Sequence, residues 1–429
     1  MKRKNWYPLD NAGKIYPPVT NSRRPSTFSF VAVLDEPVDK AILQKAANEI
    51  LARFESFNVK LKRGIFWYYL EKNNKPCIVD EEPPYFLKHI EPTDNNGYLF
   101  RVFYKENRIT MTLFHALCDG TGGLDVFKSL VYEYLLLAGK EVTSDDKIIT
   151  CTTPYTMAET SDSFSAHDYK TKDKPIKEVD AFKTDGTNFA WDGCGIITGQ
   201  VPVNQLKEEC KKCGATITEY IAALYMHSMY LAFIKGKRVK NKNIKLLIPV
   251  NLRKWYPSET LRNFAMFVRL HHDFEEEITF EDCIELCKGQ MKEGLTKEKL
   301  DAQIWSNVKT EKNWILKIVP LFIKDFVMRI AYGKVGDNLH SANISNLGIV
   351  DLPDSMKKHV KDIVFIIGTS FSTKTHLGLI SYDGKLNMTF TRSMVENQME
   401  KIMLKTLTDK GIPVEVSSNY WEGKQDETL

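Results

Sequence analysis

The chain has 429 residues, of which 43% are hydrophobic, 11% aromatic and 27% charged. That is enough apolar side chain for two or three packed cores, and it excludes an intrinsically disordered class. The net charge of +4, from 59 Lys and Arg against 55 Asp and Glu, is too small an excess to argue for nucleic acid, and no such partner is expected.

In chain order, the opening "MKRKNWYPLDNAGKIYPP" is basic but has no apolar stretch behind it, so no secretory leader is expected. "TFSFVAVL" (27–34) reads as a strand. "VDKAILQKAANEILARF" then sets Leu43, Ala46, Ala47, Ile50, Leu51 and Phe54 on one helical face, with Asp39 as its N-cap. "FNVKLK" and "IFWYYL" are strands around Arg63-Gly64. "YLFRVFY" (98–104) and "RITMTLF" (108–114) form a hairpin about Lys105-Glu106-Asn107. A glycine-rich turn follows, then a helix from about Leu124 to Leu137 that closes at Gly139. Residues 140–190 are polar and weakly periodic, and read as a long excursion and linker between two halves.

The second half has a strand at "GIITGQVPV", an apolar helix over 217–234, and a buried strand at "NIKLLIPVNLR" (243–253). Helices are expected over 279–297 and 300–331. Within the latter, "WILKIVPLFIKDFVMRIAY" (314–332) carries Lys317, Lys324, Asp325 and Arg329, too many charges to span a bilayer. It reads as an amphipathic, partly buried helix broken near Pro320, with brief contact with a membrane surface left open. No transmembrane segment is expected. "DIVFIIGT", "HLGLISYD" and "KLNMTFT" are strands, the last two joined through Asp383-Gly384, and an amphipathic helix ends at Gly411. Strands and helices mix without regular alternation, which indicates an α+β fold rather than a doubly wound sheet or an α/β barrel. The expected division is an N-terminal lobe over 1–180 and a C-terminal lobe over 181–429, the latter sending crossover segments onto the former.

Eight cysteines are scattered along the chain. Cys210 and Cys213 form a lone C-x2-C, and Cys283 and Cys287 lie too far away to complete a compact zinc module. No metal site is expected, and reduced cysteines fit a cytoplasmic protein.

The stretch "TLFHALCDGTGG" (112–123) ends an apolar strand on His115 and turns through Asp119 and Gly120. A histidine at a strand end is held by its neighbours, and neutral imidazole accepts a proton near pH 7. Glycines there allow positive φ and close approach of another molecule. These are the parts of a general-base site, although a lone histidine is more often structural. The strand "IPVNLR" delivers Asn251 and Arg253 to its end. A buried Asp119 needs a cation, and Arg253 is the candidate, its fork matching a carboxylate; the alternative is a surface arginine paired with Glu259. "SANISNLG" (341–348) is a polar turn at a strand end.

Several other features carry less. "GTSFS" (368–372) lacks the last glycine of a nucleophile elbow. His271 and His272, adjacent on a strand, point apart. His227 sits on an apolar helix and reads as core, and "GTGG" (120–123) is no dinucleotide fingerprint. The run "KGKRVKNKNIK" (235–245) holds Lys235, Lys237 and Arg238 without an acid. It is either a solvated loop or a weak attractor of coenzyme A phosphates or an acidic carrier protein.

Taken together, His115-x-x-x-Asp119-Gly120, "PVNLR" (249–253), "SNLG" (345–348), the hairpin "LGLISYDGKLNMTF" and the opening "YPLDNAGKIYP" resemble the chloramphenicol acetyltransferase-like, CoA-dependent acyltransferase superfamily. The nearest likeness is to bacterial alcohol acetyltransferase-like proteins and condensation domains. The resemblance implies two acetyltransferase-like lobes meeting in a V, with a channel between them. It implies acyl transfer, acetyl being the expected group, from acyl-CoA as co-substrate to a small-molecule alcohol or amine, without covalent acyl-enzyme, metal or permanently bound cofactor. His115 is then the base, Asp119 the structural anion, Gly120 the turn and Arg253 the partner of Asp119. Thr121, Asn346 and Ser370 are the candidate oxyanion donors. Two departures stand out. Phe114 occupies the place where condensation domains carry a second histidine, and no carrier-protein segment is recognisable; both favour a free-standing enzyme. A stand-alone condensation-type domain fed by a carrier protein, and a non-catalytic protein retaining the fold, are the alternatives.

Overall fold

The computed structural model describes residues 5–166, 179–189, 193–332 and 336–419; part of the 140–190 excursion lies outside them. The N-terminal half runs β1 (Trp6–Pro8), α1 (Tyr16–Val19), β2 (Thr27–Leu34), α2 (Lys40–Arg53), β3 (Val59–Arg63), β4 (Tyr68–Lys72), β5 (Val79–Glu81), β6 (Phe100–Lys105), β7 (Arg108–Phe114) and α3 (Gly120–Leu137). After the excursion come β8 (Gly195–Pro202), α4 (Val203–Lys212), α5 (Ile217–Phe233), β9 (Asn243–Asn251), β10 (Ala265–Asp273) and α6 (Phe280–Gly294). The chain continues through α7 (Lys297–Lys312), α8 (Trp314–Ile318), α9 (Leu321–Ala331), β11 (Ala342–Ile349), α10 (Asp354–Lys357) and β12 (Val360–Ile367). It closes with β13 (Thr375–Tyr382), β14 (Lys385–Arg392), α11 (Gln398–Asp409) and β15 (Glu415–Ser418). The fold is α+β in two lobes, as expected.

Local chemistry accounts for these boundaries. Asp39 caps α2 by accepting from the N–H groups of Ala41 and Ile42. Asp383 and Gly384, at φ 45° and 76°, make the two-residue turn between β13 and β14. Thr216 and Glu219 form a reciprocal capping box on α5.

The first lobe is built on a five-stranded sheet ordered β12-β2-β7-β6-β5, whose edge strand β12 comes from the last quarter of the chain. Val364 of β12 faces Val31 and Phe365 faces Phe30 across the ladder. A seven-stranded sheet, β10-β9-β11-β13-β14-β8-β15, carries the second lobe. Its apolar face packs on α5, whose buried residues run from Tyr220 to Ala232.

Three expectations need correction. Helix α3 begins at Gly120, not after the glycines, because Asp119 is its N-cap. The segment 300–331 is three helices rather than one: α7 stops at the extended Asn313, and Pro320 precedes α9. The third concerns the orientation of α9. Its apolar residues Phe322 and Phe326 face outward, and its charged Lys324 and Asp325 are buried.

The excursion is also better anchored than a linker. Glu159, in a short 3-10 turn (Met157–Thr160), takes a two-pronged bond from Arg53 at 2.7 and 2.8 Å. Its carbonyl accepts the N–H of Leu261, and Thr260 Oγ1 donates to the Ser161 carbonyl at 2.7 Å. The excursion thereby clamps the loop after β9 that reaches the candidate site.

Candidate active site

Strand β7 ends at Phe114 and places His115 beside the end of β2, where its N–H donates to the Ser26 carbonyl at 2.9 Å. The imidazole is flanked by two rings. Tyr16 of α1 stacks on it at 4.7 Å between centroids, and Phe28 meets it edge-on at 5.2 Å. His115 is only partly buried. Desolvation by the flanking groups holds its pKa below the usual 6.5, so the ring is neutral near pH 7.

Four residues on, Asp119 is buried and fully engaged. One carboxylate oxygen accepts from Gly122 N at 2.9 Å; the other accepts from Arg253 Nη1 and from Phe264 N, both at 2.8 Å. Arg253 spends its remaining donors on the carbonyls of Thr260 and Arg262 and on Asn251 Oδ1. The pair therefore fastens the loop 260–264 to the start of α3, and it does not touch the imidazole. Removing one partner of a buried, hydrogen-bonded ion pair typically costs about 3–5 kcal/mol.

The glycines serve approach, not turning: none of Gly120, Gly122 and Gly123 has a positive φ. A Cβ on Gly122 would lie 2.2 Å from the Leu261 carbonyl oxygen, and one on Gly120 would lie 2.8 Å from Leu347. The first helical turn of α3 is thus the surface against which both the 260–264 loop and the "SNLG" segment pack.

The partner of the histidine is Asn263, which the sequence reading did not single out. His115 Nδ1 lies 3.1 Å from Asn263 Oδ1, and Asn263 Nδ2 lies 3.1 Å from Asp10 Oδ2. The other oxygen of Asp10 accepts from Gly13 N at 2.6 Å. An ionised Asp10 can only accept, so it takes the amide N–H2 of Asn263 and turns the amide oxygen toward His115. The histidine must then carry its hydrogen on Nδ1, which leaves the lone pair on Nε2. Asp10 is only 1% exposed, and that burial raises its pKa to about 6, against the opposing bonds from Asn263 and Gly13. Asp10 does lie within the quoted opening "YPLDNAGKIYP". Its partner is 253 positions away, so only an acid set among aromatic and apolar neighbours could have marked it.

The remaining candidates separate. Thr121 Oγ1 accepts from Asn251 Nδ2 at 3.1 Å beside the Asp119–Arg253 pair. Asn346 donates to Thr218 Oγ1 at 2.9 Å, next to the Leu347 that packs on Gly120. Ser370 lies elsewhere, its hydroxyl bonded to Ser372 and Thr373, on a cleft of about 260 Å³ between the lobes. Arg23, Pro25, Lys88 and His89 line that cleft too, and Pro25 is next to the Ser26 that holds the backbone of His115.

Lys235, Lys237 and Arg238 are not brought to the histidine. They follow the far end of α5, whose 17 residues span about 25 Å from the Thr218 end. Lys235 pairs there with Glu277. His271 and His272 alternate on β10, and His227 packs on Tyr230 and Phe280. Among the described residues no group of three His, Cys, Asp or Glu side chains could hold a metal ion.

The profile of the alcohol acetyltransferase family matches residues 196–410. The chain belongs to the alcohol acetyltransferase family. The matched span of this family member starts after His115 and includes Arg253, Asn263 and Asn346. Comparison with curated protein sequences returned no match.

Among solved structures, polyketide synthase associated protein 5 from Mycobacterium tuberculosis superposes with a TM-score of 0.57 at 13% identity, over 93% of this chain and 96% of that one. The first condensation domain of the calcium-dependent antibiotic synthetase, in complex with a substrate analogue, gives 0.59 at 12% identity over 94% and 95%. The starter condensation domain of rhizomide synthetase, as a double mutant in complex with C8-CoA and Leu-SNAC, gives 0.57 at 11% identity over 94% of each. These likenesses establish the shared fold: the acyltransferase family member has the architecture of a condensation domain over nearly its whole length.

Proposed function

We propose that this protein transfers an acyl group from acyl-CoA to the hydroxyl of a small-molecule acceptor, with His115 as the general base. The observation that carries this reading is the chain Asp10–Asn263–His115, which leaves Nε2 unprotonated on a partly exposed imidazole. The acceptor O–H gives its proton to Nε2 while its oxygen attacks the thioester carbonyl carbon. The tetrahedral oxyanion collapses, the C–S bond breaks, and the departing thiolate recovers the proton from the imidazolium. No acyl-enzyme forms. Thr121 and Asn346, at the packed start of α3, are the favoured oxyanion candidates, while Ser370 lines the cleft. Arg23 and Lys88 on that cleft are cations suited to phosphates of the donor.

The test is thiol release from a panel of acyl-CoA donors with alcohol and amine acceptors. His115→Ala is expected to lose about 10²–10⁴-fold in rate. Equal rates in variant and wild type would remove His115 as the base. The full-length likeness to condensation domains supports a second reading, in which a carrier protein delivers the acyl group. Turnover with a pantetheine-loaded carrier and none with CoA would select it.

A further inference from the structure

Helix α9 is turned against the usual rule for a surface helix. Two of its three charged residues, Lys324 and Asp325, are only 6% and 4% exposed. Lys324 Nζ donates to the Phe66 carbonyl at 2.8 Å and sits over the Trp67 ring, while Asp325 Oδ2 accepts from Arg63 and from the Tyr68 hydroxyl, each at 3.0 Å. Leu321 N binds the Ile65 carbonyl. Polar contacts to the β3–β4 hairpin therefore fix the helix with its large apolar side chains outward. Phe322 is 65% exposed, Phe326 66% and Val327 55%; Trp314 and Ile318 on α8 are 68% and 58%, and Ile65 at the hairpin tip is 76%. An outward run of aromatic and branched residues on two short helices joined at Pro320 is far from the scattered apolar surface of ordinary proteins, and marks an interaction face.

The charges around it select the occupant. Over residues 312–331 the exposed charged side chains are Lys312, Lys317 and Arg329, all cationic, and the one acid of that span, Asp325, is buried. A second copy packed face to face would bring these cations together. A layer of anionic headgroups over acyl chains satisfies both the cations and the apolar side chains. Among the described residues no helix is long and apolar enough to cross a membrane, so the segment would lie in the interface plane rather than span it.

We propose that the outer face of α8, α9 and the β3–β4 tip docks on anionic lipid membrane, inserting Phe322, Phe326 and Trp314 at the headgroup boundary. The face is coupled to the candidate site through α1, since Arg329 Nε donates to the Pro18 carbonyl at 2.9 Å and Tyr16 stacks on His115. The docking does not rest on acyl transfer, and it is measured without substrate.

The experiment is flotation of the full-length protein with phosphatidylcholine vesicles, with and without phosphatidylglycerol, beside sedimentation velocity without lipid. Wild type is expected to float with the anionic vesicles. Phe322→Ser and Phe326→Ser should each weaken partitioning roughly tenfold, and Lys312→Gln and Lys317→Gln roughly fivefold each on anionic vesicles. All four side chains are exposed, so thermal melts should match wild type. Failure of wild type to float with either vesicle, or equal flotation of wild type and the double phenylalanine variant, would overturn the proposal. So would a dimer in sedimentation that the same double variant dissociates while vesicles bind neither protein; the face would then belong to a second copy.

Discussion

The proposed role of His115 as a base depends on which nitrogen holds its hydrogen, and that is set two residues away from the imidazole. Asp10 orients Asn263, and Asn263 orients His115. Asn263→Ala removes the acceptor of Nδ1–H, and the ring is then free to rotate or change tautomer; kcat is expected to fall roughly 10–100-fold with KM little changed. The pH profile tests the upstream member. The pKa of Asp10 is raised to about 6, so it is ionised at pH 7 and protonates as pH falls through about 6. A protonated Asp10 can donate, the Asn263 amide loses its forced orientation, and the rate should decline through that range. His115, held below 6.5 by burial, adds its own loss at lower pH. Asp10→Asn cannot titrate, so the limb near pH 6 should vanish at a lower overall rate. An unchanged acid limb in that variant would end the relay. His115 and Asp119 were legible from the sequence because their spacing is local. Asn263 was not, because its role exists only once a loop 148 residues further on folds against the strand end.

At the scale of elements, sequence pattern located most strands and helices but misjudged why some residues are there. The run Gly120 to Gly123 looked like a flexible turn, since glycine composition masks a helical N-terminus. The structure uses it as a smooth first turn of α3 under Asp119, against which backbone from another element lies in direct contact. The orientation of α9 was illegible for a related reason: periodicity shows that a helix has two faces, not which one a neighbouring hairpin will bind. Gly122→Ala tests the contact. Its Cβ would lie 2.2 Å from the Leu261 carbonyl oxygen, and a backbone atom cannot rotate aside, so the 260–264 loop must shift. The expected cost is about 1–3 kcal/mol in stability by denaturant titration. Activity should fall further than stability alone explains, because the same loop carries Asn263. A variant of wild-type stability and activity would show that the loop yields without cost.

For the whole molecule, the decisive feature is that the first lobe is incomplete without the second half of the chain. Strand β12 closes the first sheet by pairing with β2 from Phe28 to Leu34. The chain then passes directly into β13, in the second sheet. Phe365 is 1% exposed and stacks on Phe30 at 5.3 Å, within the core of the first lobe. Its carbonyl would lie 2.5 Å from a Cβ on Gly378 of β13, so the two sheets meet at backbone distance there. Sharing a core strand in this way should make the lobes unfold together. Phe365→Ala is expected to cost about 3–5 kcal/mol. In calorimetry it should lower the midpoint of one common transition rather than split it, although chains of this length often unfold in stages. Two resolved transitions, of which the substitution moves only one, would mean that the lobes are energetically separate and that β12 is a tether, not a shared part of the core.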